Sequence, residues 1–230
     1  MKAETSAKNP HSSSFKVGEV KLSDGIFKAS QETGREMLLS LDVDRLLAPV
    51  AYSTGATSST SKYYGGWEGY NYRGYGAKGI TGHSLGHWLS AAATMYAVSK
   101  DTLLKERLDY AVSKLSEYQD ICGTGFVGGW KPEDFETALQ TGNMEVGGFN
   151  INDYWVPWYS IHKIYQGLID AYTLTGNEQA LDVVCKFADW AKRLTDNLSD
   201  AQFNAMLGCE YGGMNEAMCQ LYSITGNKDY

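Results

Sequence analysis

Three short segments sharing one pattern constrain this chain more than any other feature. They are MYAVSKD, ending at Asp101, AYTLTGN, ending at Asn177, and LYSITGN, ending at Asn227. Each reads Tyr, any residue, an aliphatic residue, Ser or Thr, Gly or Lys, then Asn or Asp, and each closes an apolar helical run. The final Asp or Asn is placed to accept hydrogen bonds from the free N–H groups at the start of a following helix. After Asp101 comes the amphipathic TLLKERLDYAVSKLSEYQ, and after Asn177 comes EQALDVVCKFADWAKRL. The unit is therefore helix, tight turn, helix.

The second and third turns are 50 residues apart, and the first and second 76, with a loop from Cys122 to Pro157 accounting for the difference. Antiparallel helix pairs repeated at about 40–50 residues predict a solenoid or a closed α/α toroid, in which an inner ring of helices is wrapped by an outer one. The first helix of each unit is the more apolar and Gly/Ala-rich, as suits an inner ring. The expected fold class is all-α, an α/α toroid of the six-hairpin type. Upstream, the pattern predicts a helix from about Leu22 to Leu41 and a short helical turn at VDRLLAP that Pro49 ends. The Gly-, Ser- and Tyr-rich stretch 51–79 then reads as a long functional loop. Residues 1–15, including His11, are expected to be a disordered leader, and 16–230 the N-terminal part of a larger toroidal domain with about three hairpins present. The last three residues, KDY, would only start another helix.

Bulk properties narrow the functions. A net charge of −7, a pI near 5.1 and no basic run exclude a nucleic-acid partner. No stretch approaches the ~18 apolar residues of a membrane span, and no secretory signal heads the chain, so a cytoplasmic protein is expected. The aromatic content is high, with 16 Tyr, 6 Trp and 7 Phe. Many of these rings sit in polar, Gly-rich stretches, where rings often grip flat, partly apolar ligands such as sugars; others fold onto the core. Cys122, Cys185, Cys209 and Cys219 lack C-x-x-C spacing, so neither a disulfide framework nor a zinc site is expected among them. Cys185 and Cys219 are read as small buried hydrophobes.

The candidate chemistry lies at the starts of the three inner helices, GHSLGHWLSAAA, WVPWYSIHKIYQGLIDAY and EYGGMNEAMCQLY. In a toroid these starts gather at one end. His83 and His87, one turn apart, share a helix face. Such a pair can bind a metal, or pack and cap, or exchange hydrogen bonds with ligand hydroxyls. His162 is either a core histidine or part of a sugar site with Trp155 and Trp158. Glu210 and Glu216, with Asn215 between them, can serve as acid and base in glycoside hydrolysis, or as charges complementing a helix dipole.

Taken together, LSDGIFKASQETGREMLLSLDVDRLLAPV, YGGWEG, GHSLGHWLSAAATMYA, VPWYSIHKIYQGLIDAYTLTGNEQAL and CEYGGMNEAMCQLYSITGN resemble the N-terminal half of the β-L-arabinofuranosidase glycoside hydrolases of families 127 and 146. The resemblance runs from about residue 16 to residue 230. It implies an α/α toroid followed by β-sandwich domains, release of L-arabinofuranose from β-linked arabinosides, and a retaining mechanism with a zinc-bound cysteine thiolate as nucleophile. The family's zinc ligands occupy a Glu-Thr-Cys segment and a later Cys-Cys pair, and neither occurs in these 230 residues. The resemblance therefore places nucleophile, acid/base glutamate and zinc beyond Tyr230, with no metal expected in this chain. It leaves binding roles for His83, His87, His162 and Glu216 toward a carbohydrate. Alternatives are another toroidal sugar enzyme, an epimerase or polysaccharide lyase using the histidines themselves, or a non-enzymatic helical-repeat module.

Overall fold

The computed structural model describes residues 14–70, 74 and 76–230. The leader expected over 1–15, with His11, falls almost wholly outside them. The described residues are dominated by helices, α1 Ile26–Ser40, α2 Val43–Thr54, α3 His83–Ser99, α4 Thr102–Cys122, α5 Glu133–Thr141, α6 Pro157–Thr175, α7 Glu178–Thr195, α8 Asp200–Leu207 and α9 Gly213–Thr225. None is long and apolar enough to cross a membrane.

The expected turns form as the sequence dictates. Asp101 accepts from the N–H groups of Leu103 and Leu104 at 2.9 and 3.2 Å, and Asn177 from that of Ala180 at 2.9 Å. Each tight turn enters through a left-handed residue, Lys100 in one case and Gly176 in the other. A further hairpin precedes these two. Asp42 caps α2 through the N–H groups of Asp44 and Arg45, so a tight turn joins α1 to α2 as well, and α1 lies against α3 while α2 lies against α4. Pro49 does not end α2. It lies inside the helix, which continues to Thr54 and stops at left-handed Gly55. A proline costs one backbone hydrogen bond there, and complete burial of Ala48, Val50 and Ala51 around it holds the helix together.

Helices α3, α6 and α9 lie side by side and parallel. Gly86 faces Lys163 and Gly167 faces Leu89; His162 faces Gly213 and Gln166 reaches Gln220. Helix α4 packs on α3 and is flanked by α2 and α7, forming an outer layer. The α3–α6 approach is unusually close. A Cβ on Gly86 would fall 2.1 Å from the Lys163 carbonyl, and one on Gly167 would fall 2.7 Å from the Gly86 oxygen.

The segment between α4 and α6, expected to be a loop, is structured. It carries α5 and a three-stranded antiparallel sheet, β1 Val146–Gly147, β2 Asn150–Ile151 and β3 Tyr154–Trp155. Two-residue turns join the strands, and both central residues of each have positive φ: Gly148 and Phe149, then Asn152 and Asp153. Such turns match the strand twist. Under this segment six rings, Phe126, Trp130, Phe135, Tyr154, Phe187 and Trp190, pack into one cluster with neighbouring centroids about 5 Å apart. Much of the aromatic excess is therefore core. Cys219 corrects another expectation: it is exposed, because no described helix packs on that side of α9, and Cys185 is only half-buried.

Candidate carbohydrate site

A polar stripe runs along the three parallel helices at three- and four-residue spacing. It comprises His83, His87 and Ser90 on α3, Tyr159, Lys163, Gln166 and Asp170 on α6, and Glu216 and Gln220 on α9. Cross-links join the stripe across helices. The His87 Nε2 lies 3.3 Å from the Tyr159 hydroxyl, and the Lys163 ammonium sits 4.8 Å above the Tyr159 ring. Gln166 donates to Asp170 and to Gln220, and Gln220 donates to Glu216 at 3.1 Å. The imidazoles of His83 and His87 meet edge-on, centroids 5.8 Å apart.

The helix starts are capped in an unexpected way. Neither α3 nor α6 has a side-chain cap of its own; Gly82 and Val156 occupy the cap positions in left-handed conformations. For β-branched Val156, at φ 42° and directly before Pro157, that conformation is strained. Carboxylates from other segments satisfy the exposed N–H groups. Glu68, in a single helical turn over Gly66–Glu68, is buried and accepts from Gly82 at 2.6 Å and Ser84 at 2.9 Å. It also receives the Nδ1 of His83 at 2.8 Å. Glu210, just before α9, accepts the N–H of Trp158 at 2.5 Å and that of Tyr159.

These two carboxylates titrate in opposite directions. Burial pushes Glu210 up to about 7, its two backbone donors compensating only in part. Burial pushes Glu68 upward too, but the hydrogen bond from His83, joined by those of the Gly82 and Ser84 N–H groups, outweighs it and holds the carboxyl below its usual range. His162 and His87 tend to the neutral form. Burial, then the Lys163 charge, brings His162 down to about 4, and the same two causes lower His87. Neutral imidazoles both donate and accept, which suits hydroxyl-rich ligands.

The sequence-derived candidates fall into two adjoining groups. His83 and His87 stand on the polar stripe beside Tyr159 and exposed Trp67, whose ring centroid is 5.9 Å from that of His83. His162, Trp158, Glu210 and Asn215 line a cavity of about 540 Å³ between α6, α7, α8 and α9, and Tyr159 and Lys163 border it as well. Within it the buried Nε2 of His162 has no hydrogen-bond partner. Its ring lies flat enough on Gly213 that a Cβ there would come within 2.8 Å of Nδ1. Trp158 is only 7% exposed, with its ring beside Phe135 and Trp190, so it walls the cavity from the core side. Glu216 is exposed and its charge bears on His162. Trp155 pairs with Asn150 in the small sheet and is not among the cavity's lining residues. Glu68, Tyr159, Lys163 and Trp67 were not singled out from the sequence. Tyr159 and Lys163 could have been found from their four-residue spacing around His162; Glu68, which meets α3 only in the folded chain, gave no local signal.

The donor set does not fit the zinc–thiolate centre that the resemblance implies. Among the described residues no three His, Cys, Asp or Glu side chains are grouped so as to hold a metal. Burial pushes the Cys209 thiol up to about 12 and raises that of Cys185, so neither is a thiolate at neutral pH.

Comparison with known proteins places this geometry. The family described as β-L-arabinofuranosidase, GH127 catalytic domain, matches residues 19–230. The chain belongs to this family. The crystal structure of Ara127N-Se, a GH127 β-L-arabinofuranosidase from Geobacillus stearothermophilus T6, superposes on the GH127 chain with a TM-score of 0.60 at 17% identity. That match covers 92% of this chain and 31% of the other. A search of curated proteins gives no match.

Proposed function

We propose that this chain is the sugar-gripping part of a β-L-arabinofuranosidase catalytic domain, one arc of a six-hairpin α/α toroid. The observation that carries the reading is the cross-linked stripe His83, His87, Tyr159, Lys163 and Glu216, next to a cavity holding the unpartnered Nε2 of His162. Neutral His87 and His162 supply donors and acceptors for furanose hydroxyls, Lys163 supplies a fixed positive charge, and Trp67 offers an indole face to the sugar's C–H groups. Asn215 lines the cavity with His162, and Trp155, outside it, is assigned to neighbouring units of the glycan. The zinc, the thiolate nucleophile and the general acid implied by the family are assigned to residues outside these 230, so this chain alone binds and does not cleave.

Calorimetric titration with methyl β-L-arabinofuranoside, its α anomer and methyl β-D-xyloside tests the reading. The β-L-furanoside is expected to bind best, with binding weakened by His162→Ala and by His87→Ala. Equal binding of all three glycosides, or affinity untouched by both substitutions, would overturn it. In parallel, the chain should bind no stoichiometric zinc and release no aryl leaving group from a β-L-arabinofuranoside. Zinc-dependent turnover by these 230 residues would show that the nucleophile had been misplaced.

A further inference from the structure

Glu68 has more invested in it than a helix cap requires. Gly82 cannot carry a capping side chain, since at φ 96° a Cβ there would fall 2.7 Å from the Gly129 Cα, and the chain instead uses a carboxylate from 14 residues upstream and buries it to 5% exposure. Its two oxygens divide the work: Oε2 takes Gly82, while Oε1 takes both Ser84 and the His83 ring. The carbonyl oxygen of Ile80 lies 2.8 Å from the same Nδ1. Two acceptors therefore converge on Nδ1, neither can donate to it, and that nitrogen must carry the proton. The Nε2 of His83 makes no hydrogen bond among the described residues. Which nitrogen of an imidazole is free for a ligand is set by the partner of the other one, and a buried carboxylate on Nδ1–H fixes the ring's orientation and enriches Nε2 as an acceptor. The same anchoring holds the turn that presents Trp67 against His83.

We propose that Glu68 is the positioning residue of the site: it holds His83 as the Nδ1–H tautomer, so that Nε2 is the lone-pair nitrogen offered to a ligand hydroxyl. The inference rests on the sugar-binding reading for what the ligand is, but the tautomer stands independently of it. The only chemistry assigned is acceptance of a hydrogen bond, and no proton is transferred.

Two measurements decide it. Long-range 1H–15N spectra of 15N-histidine protein report which ring nitrogen is protonated, with His83 assigned by the loss of its signals in His83→Gln. The expected result is an Nδ1–H proton for His83, far downfield and slow to exchange, which moves upfield and exchanges faster in Glu68→Gln. A proton on Nε2 in the unaltered protein would overturn the proposal without any need for the variant to fold. The second measurement is a double-mutant cycle on β-L-arabinofuranoside affinity. Glu68→Gln is expected to weaken binding about tenfold, His83→Gln at least as much, and the double variant no more than His83→Gln alone. Additive losses would show that Glu68 acts on the scaffold and not through His83. If the chain binds no furanoside but keeps the Nδ1–H bond to Glu68, the tautomer assignment is supported and the sugar reading falls.

Discussion

The two ends of these helix pairs solve one problem in two ways. At the turn end, α2, α4 and α7 start at Asp42, Asp101 and Asn177, each capping through its own side chain within three residues. At the site end, α3 and α6 start at left-handed residues and borrow Glu68 and Glu210 from 14 and 52 residues away. A local cap does only structural work. A borrowed cap ties a second segment to the helix start and brings a carboxylate among the ligand-facing groups. The turn end is thus built for autonomy of each hairpin, and the site end for dependence between segments.

That contrast can be broken by experiment. The largest effect is expected for Glu68→Ala, which strands the N–H groups of Gly82 and Ser84 and leaves the His83 Nδ1–H only the Ile80 carbonyl. At about 1–3 kcal/mol per buried unsatisfied group, with Ser84 half-exposed, urea unfolding should show a loss of about 3 kcal/mol. A loss equal to that of an ordinary cap would erase the distinction between the two ends.

Next comes pH. Burial pushes the Glu210 carboxyl up to about 7 in the folded chain, against an ordinary value near 4.5. Between those values the native state holds a proton that the unfolded state has released, so stability should fall as pH rises from about 4.5 to about 7 and then level off. Glu210→Gln keeps an oxygen acceptor and should remove that decline, leaving the variant about 2 kcal/mol less sensitive across the window once the group's partial exposure is allowed for. Glu68 has the opposite sign: its contribution is present above the ordinary carboxylate range and is lost as pH falls through its depressed value. Stability curves of the two Gln variants should therefore diverge from the parent on opposite sides of the profile. Parallel curves would refute the assignment of His83 as the partner that distinguishes them.

Asp101→Ala should cost about 1–2 kcal/mol, through the α4 cap and the 2.7 Å pair with Arg35. The smallest effect is reserved for Asp42→Asn, which preserves the oxygen that Asp44 and Arg45 donate to and should move stability by no more than about 0.5 kcal/mol. A large loss there would mean that charge, and not the acceptor, matters at the turn end.

The same contrast explains what could be read in the sequence. Asp101 and Asn177 were legible because cap, turn and apolar run are contiguous, and the helix pairs they imply are those observed. The α1–α2 hairpin was seen only in part, since its turn lacks the tyrosine pattern and Pro49 looked like a terminator. The segment 123–156 was read as a loop because two-residue strands are too short to show a period. His83, His87 and His162 stood out as rare residues at odd helix starts. Glu68 and Glu210 could not reveal what they hold, because their partners are backbone N–H groups, which every residue possesses and no composition records. Cys219 was misjudged because helical periodicity tells which residues share a face and not whether anything covers it.

Gly86 and Gly167 carry a consequence for how such a site can vary. At Gly86 the gap between the helices that bear His87 and Tyr159 is set by main chain against main chain, and at Gly167 by the Gly86 main chain and the Leu89 Cβ. It works as a fixed gauge. Substitutions along the polar stripe can exchange one hydrogen-bonding group for another without changing the separation of the two helices. The reverse also holds: a single methyl group at Gly86 would wedge the gauge open and shift the His87–Tyr159 contact across it.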